Sequence, residues 1–423
     1  MFPKPKWLAT TRPRLIDQLD LPCQAIIKNE KAAIKNATNF KYDFEKLEKE
    51  ILASKDRCPV YREVFGFREV PNSAEEADYP LAYGVVAFKN FAQLMLMLSS
   101  FYEPQHSFCI AIPLTAEANF RILANSLPGC FDNIDVIQVG SVSWGSFEIL
   151  RAVHTCLVRL DQRDNDWKYY QYLSGFDVPL RTNLEMVRIM QQLDGATLAT
   201  IKEYPSNRLK KMKAKDAPLP LFKSSMSACI PRRIAHEMAT NPISYALVKY
   251  LEGTQIADES YWTSFVGNPE KLKLPLQWSA AAILEYRKGP VAVVSNETTS
   301  VVSPVARVAR TPIPCTHPPC LDTSMIMRYQ KWQGEASCGG KWTHASCVFG
   351  VSDVPILARA PHLVAHKLYV DTQPAAFICL IKEIDRRRQE PDENFDAVQY
   401  GRLPQVELAH GVHFDDLTHP KWL

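Results

Sequence analysis

The sequence predicts an α/β fold, a mainly parallel sheet with crossover helices packed on it. Three observations carry this. From residue 80 onward, short β-rich apolar runs alternate with helical segments, the order that sets parallel strands side by side under helices. The first of these runs, "LAYGVVAF", reads as a buried strand rather than a half-exposed one. Finally, 423 residues, 46% of them hydrophobic and 22% charged, are enough for a large core in one big domain or two ordinary ones.

The elements follow in order. Residues 1–75 are polar and partly helical ("YDFEKLEKEILASK") and read as a stem or N-terminal lobe, leaving 76–423 for the main domain. There "PLAYGVVAF" (80–88) is a strand, "KNFAQLMLMLSSFY" a helix, "SFCIAIPL" a strand and "TAEANFRILANSL" a helix. "FDNIDVIQV" is the next strand and "FEILRAVHTCLVRLDQ" a long helix. The text from about 279 to 322 is rich in Ser, Thr and Pro and reads as an irregular surface excursion. Order returns with "MIMRYQKWQ", "ASCVFGVSDV" and the helical "PAAFICLIKEIDRRRQ".

Ligands of such sheets sit at the carboxyl ends of the strands. No GxGxxG or GxxxxGK[ST] follows any of them, so dinucleotide and P-loop readings lack their main support. A net charge of +3 spread along the chain argues against nucleic-acid or membrane-surface binding by bulk charge. The basic run "RLKKMKAK" (208–215) reads as a solvated loop. Eleven cysteines without a CxxC pair or a zinc-type cluster, with sequons at Asn36 and Asn296, favour an oxidising secretory compartment. No apolar stretch near the N-terminus resembles a signal peptide or a membrane span, and the chain is expected to begin inside a longer protein.

One stretch raises a chemical question. "IADESYWTSF" (256–265) sets Asp258 and Glu259 before an aromatic pair. Asp258 reads as an N-cap, and Glu259 as either a favourable first-turn charge or a carboxylate held for chemistry. The residues alone leave both open.

Three blocks together resemble a known family. "WKYYQYLSGFDVPLRTNLEMVRIM" (167–190) places Gly175, Asp177, Pro179, Arg181, Thr182 and Asn183 in the pattern of the core-2/I-branching β-1,6-N-acetylglucosaminyltransferases, glycosyltransferase family 14. "CGGKWTHASCVFGVSDVPILARAPHLVAHKLYVDTQPAAFICL" (338–380) resembles the family's C-terminal segment, and the Asp-Glu-aromatic stretch its catalytic segment. The resemblance runs from about 79 to 384 and implies a GT-A-like fold with a Rossmann-like, disulfide-bonded sheet.

It also implies pairing of Cys23 with Cys379, Cys58 with Cys130, Cys109 with Cys156 and Cys338 with Cys347. Cys229, Cys315 and Cys320 have no counterpart; a local 315–320 bridge would leave Cys229 free. For chemistry it implies inverting transfer of N-acetylglucosamine from a UDP-sugar to a glycan or glycoprotein acceptor, with Glu259 as base. Lys367, His344 and Val85 would bind the donor and Trp332 the acceptor, with no metal and no other cofactor. The single Asp-x-Asp, "DND" (164–166), reads as a solvated turn.

Localisation would be the Golgi lumen, through an N-terminal anchor preceding this chain. Several family positions are changed. His344 replaces an arginine, Pro113 an aspartate, Ala199 an acceptor-binding glutamate and Gly334 an aromatic residue, and "KSSMSACIP" lacks a glycine. An imidazole offers less than a guanidinium fork to a diphosphate. "SGFDVP" also resembles the peptide xylosyltransferases, which makes xylose transfer an alternative. A catalytically weak glycan-binding member of the fold is the third.

Overall fold

The computed structural model describes residues 14–289 and 319–423. Among its strands are β1 (Leu81–Val86), β2 (Ser107–Pro113), β3 (Ile134–Val139), β4 (Tyr169–Ser174), β5 (Leu198–Ala199), β6 (Lys202–Glu203), β7 (Phe222–Lys223) and β8 (Ala228–Pro231). Later come β9 (Lys341–Thr343) and β10 (Ser346–Val348). Six strands form one sheet in the order β3-β2-β1-β4-β8-β5. The first four are mutually parallel, and β8 runs antiparallel to β4 and β5. The expected mainly parallel sheet with crossover helices is therefore present.

Its strands are apolar because both faces are covered. Every residue of β1, β2 and β4 is buried. Alternation shows which face each serves. Tyr83 and Val85 of β1 join one core cluster, with helix α1 (Phe91–Phe101) and helices from both ends of the chain. Ala82 and Val86 join the other, with α2 (Phe147–Asp161) and the helix Arg232–Thr240. All eleven residues of α1 are buried, so this helix shows no polar face to anchor its period.

The stretch expected as a stem or N-terminal lobe is, from residue 14, a set of short helices packed on the first cluster. Ile26, Ile51, Tyr61 and Phe65 lie in that core. Two disulfides staple it there, Cys23–Cys379 and Cys58–Cys130. Cys109–Cys156 ties β2 to α2, and Cys338–Cys347 closes the base of the β9–β10 hairpin. All four pairings agree with those implied by the family resemblance. Cys320 is also disulfide-bonded, and Cys229 is a buried free thiol on β8. Cys315 and Asn296 lie outside the described residues.

Two expectations change. The excursion from about 279 opens with a regular helix, Ala280–Lys288, capped by Ser279 and seated on buried Ala280 and Ile283. Asp258 is no N-cap either. It sits inside a single 3-10 turn, Ala257–Glu259, and Ser260 precedes the following helix α3 (Tyr261–Val266). Among the described residues no helix is long and apolar enough to cross a membrane.

Candidate active site

The carboxyl ends of β1 to β4 open onto one side of the sheet, and four segments converge there. The first is the Glu259 turn. Ser224, in the run leading into β8, donates its main-chain N–H to the Glu259 carbonyl at 2.6 Å. Because β8 is antiparallel to β4, that run lies at the carboxyl end of β4. The Glu259 carboxylate is about a quarter exposed and is held through one oxygen only. Arg208 reaches Oε2 at 2.8 Å and Lys223 reaches the same atom at 3.5 Å. No hydrogen bond within the described residues involves Oε1. A carboxylate fixed by one oxygen and unbonded at the other is arranged to accept a proton.

Its neighbour differs. Asp258 is buried, and its Oδ1 has no partner. Burial, with the Glu259 charge adding to it, pushes this carboxyl up to about 7. Arg208 Nη1 and the hydroxyls of Ser224, Ser227 and Ser260 are also buried without a partner. Unmatched polar atoms of this kind are uncommon inside proteins, and here several gather around one turn.

The second segment is the loop after β3. Ile256, just before the Glu259 turn, donates to the Gly145 carbonyl at 3.3 Å. Beside Gly145, Trp144 stacks on His344 with ring centroids 5.5 Å apart and planes 6° from parallel. His344 belongs to the third segment, the β9–β10 hairpin, whose register leaves a two-residue turn of His344 and Ala345. Both have positive φ, 51° and 59°, as a type I′ turn requires. His344 is exposed at this tip, not buried beside the disulfide.

Lys367 supplies the fourth. It is only 8% exposed, and its Nζ donates to the Thr343 carbonyl at 3.2 Å. Burial pulls its pKa below the usual lysine value. Among the described residues no carboxylate lies within 4 Å of it. A buried ammonium without a counter-ion is costly, and an anionic ligand would relieve that cost.

The Gly-x-Asp-x-Pro block holds Lys367 in place without touching it. Asp177, fully buried, accepts from Ser174 N–H at 2.7 Å, from Arg328 at 2.7 Å and pairs with His366 Nδ1 at 2.7 Å. Burial alone would raise this carboxyl, but Arg328 and His366 outweigh it and hold it below the usual range. His366 precedes Lys367, and Leu368 N–H bonds the Phe176 carbonyl at 3.0 Å. The block is thus a frame that fixes the lysine at the carboxyl end of β4.

Trp332 is exposed, with its main chain paired to Ser346 on the hairpin. It lines a cleft of about 490 Å³ with Lys202, Tyr329, Lys331 and Glu335. Val85 is elsewhere. Its side chain is fully buried in the core under β1, and none of the described clefts reaches it. Pro113 pairs with Val139 at the end of β2, and Ala199 is buried on β5 with its main chain clamped by Gln405. Asn36 is exposed on the helix Lys31–Thr38. Asp164 and Asp166 are exposed in the turn after α2, as expected for a solvated turn. The one His/Cys/Asp/Glu grouping among the described residues, Cys338, Cys347 and Asp353, contains both halves of a disulfide.

The structure therefore gathers Glu259, His344, Lys367 and Trp332 at one side of the sheet, while the Val85 side chain faces the core. The sequence reading missed Arg208, Lys223 and Trp144. Arg208 lies in a basic run with the composition of a solvated loop, and no local spacing links it to Glu259.

Comparison with known proteins bears on this arrangement. The profile of the Core-2/I-Branching enzyme family matches residues 81–282. The Bos taurus beta-1,3-galactosyl-O-glycosyl-glycoprotein beta-1,6-N-acetylglucosaminyltransferase is 26% identical over 345 residues, covering 76% of this chain and 73% of its own. The Homo sapiens protein of that name is 25% identical over 342 residues, with 76% and 73% covered. A protein of the same name from Bovine herpesvirus 4 is 24% identical over 336 residues, with 73% and 69% covered.

Proposed function

As a divergent core-2/I-branching enzyme, and so a glycosyltransferase, this chain moves, we propose, N-acetylglucosamine from a UDP-sugar to a hydroxyl of a glycan acceptor with inversion. The supporting observation is a pairing at the open end of the sheet. A buried lysine without a counter-ion stands on one side, and a carboxylate with one oxygen unbonded stands on the other.

In this reading Glu259 Oε1 takes the proton of the acceptor hydroxyl while that oxygen bonds to the anomeric carbon. The bond from the anomeric carbon to the diphosphate oxygen breaks, and its electron pair leaves with UDP. Lys367 meets the charge that develops on the diphosphate, so no metal is required. His344, exposed at the hairpin tip next to the Thr343 carbonyl that Lys367 holds, would face the donor as well, and Trp332 would offer a ring face to the acceptor sugar. The disulfides and the exposed Asn36 sequon support a secretory lumen, the Golgi in this reading.

Glu259→Gln tests the reading, because it keeps the shape and removes the base. Transfer from UDP-N-acetylglucosamine should fall by ~10²–10⁴-fold with UDP affinity kept, and wild-type transfer should persist in excess chelator. Near-wild-type turnover of the variant would return Glu259 to a structural ion pair. Loss of transfer on chelation, restored by a divalent cation, would remove the metal-free mechanism.

A further inference from the structure

The basic run 208–215 does not behave as a detached surface loop. Its main chain is fastened to the segment that carries Glu259. Gln255 N–H donates to the Arg208 carbonyl at 2.8 Å, and Tyr250 OH donates to the Lys213 carbonyl at 2.9 Å. Arg208 itself reaches Glu259 at 2.8 Å. Lys210, Lys211, Lys213 and Lys215 are exposed. Among the described residues none of the four has a carboxylate within 4 Å.

The neighbouring ladder repeats the pattern. Lys202 of β6 stands directly opposite Lys223 of β7. Like charges in facing positions of a strand pair are destabilising, and such local violations concentrate at functional sites. Lys223 extends to Glu259, while Lys202 lines the cleft that holds Trp332. Residues 202–223 carry seven basic and two acidic side chains, a surplus larger than the +3 of the entire chain. One of the two acids, Glu203, is already paired with Lys288 at 3.5 Å. This basic segment meets the candidate active site through Arg208 and Lys223, and so forms a charged rim to it.

We propose that this rim reads negative charge on the acceptor, so that the enzyme prefers a glycan bearing sulfate or carboxylate groups near the attacking hydroxyl. The inference rests on the transferase reading and names its acceptor class. The floor of the cleft favours a sugar over a peptide. Trp332 presents an exposed ring in the cleft that Lys202, Tyr329 and Gln330 also line. An exposed aromatic face with polar side chains around it suits a sugar ring, and the lysines add charge selection around it.

The test uses four probes titrated into the UDP-saturated protein at low and physiological salt. They are a sulfated disaccharide, its desulfated counterpart, a sialylated trisaccharide and hexaglutamate. The sulfated or the sialylated sugar should bind at least ~10-fold tighter than the neutral one, and the margin should shrink with salt. Whichever of the two wins names the anionic group. Joint replacement of Lys210, Lys211, Lys213 and Lys215 by Gln should erase the margin, and replacement by Glu should reverse it. Equal affinity for charged and neutral sugars, or a margin that survives both variants, overturns the proposal. Preference for hexaglutamate over every sugar also overturns it, assigning the rim to an acidic protein segment. UDP titration alone reports on the transferase reading separately, since the four lysines contact neither Lys367 nor His344.

Discussion

Asp258 and Glu259 are adjacent in the chain and chemically opposite in the fold. Glu259 is anchored by two cations, whereas Asp258 is buried beside it with an oxygen unpartnered. The sign of the resulting pH dependence follows from the raised carboxyl pKa of Asp258, about 7 in the folded state. Between the ordinary carboxylate range and that value the folded chain holds a proton that the unfolded chain has lost. The contribution to stability is thus full in acid and fades as pH rises through about 7. Asp258→Asn, a neutral isostere, should flatten the loss of urea stability between pH 5 and 8, a change on the order of 2–4 kcal/mol. An unchanged slope would place the titration elsewhere. None of this was legible at residue level. Acidic residues before an apolar run have the pattern of a helix start, and only burial separates their roles.

At the scale of elements, helix α4 (Asn183–Leu193) shows how the family-like block works. Thr182 accepts from Glu185 N–H at 3.2 Å, and Glu185 accepts from Thr182 N–H at 3.2 Å, a full capping box. Arg387 and Arg181 converge on the same glutamate. Thr182→Ala should cost ~1–2 kcal/mol in urea unfolding, and Thr182→Ser should restore most of it. No loss in the alanine variant would mean that the arginines alone hold the helix start. The long strands and crossover helices were legible because apolar runs and helical periods are strong local signals. The hairpin tip was not, since His344 and Ala345 occupy positive-φ positions where glycine or asparagine would have announced the turn. The helix Ala280–Lys288 was hidden by the Ser/Thr/Pro text that follows it.

For the whole molecule, Cys23–Cys379 joins segments 356 residues apart, while Cys338–Cys347 spans only 9. Cross-links over longer loops restrict the unfolded chain more. Replacing both cysteines of the long bridge by serine should cost ~2–5 kcal/mol in urea unfolding and the short one less. Equal losses would show that native packing, not chain restriction, sets their worth. The disulfide frame was legible through the family resemblance. Which distant side chains would meet across the open end of the sheet was not, because Arg208, Trp144 and His344 are brought together by tertiary packing alone. The stack of Trp144 on His344 is one such meeting, and it joins the loop after β3 to the hairpin above Lys367. An exposed indole against an imidazole makes that junction luminescent and sensitive to separation. Any change in the spacing of loop and hairpin would alter the emission of Trp144, which makes this stack an optical gauge of how the two segments approach.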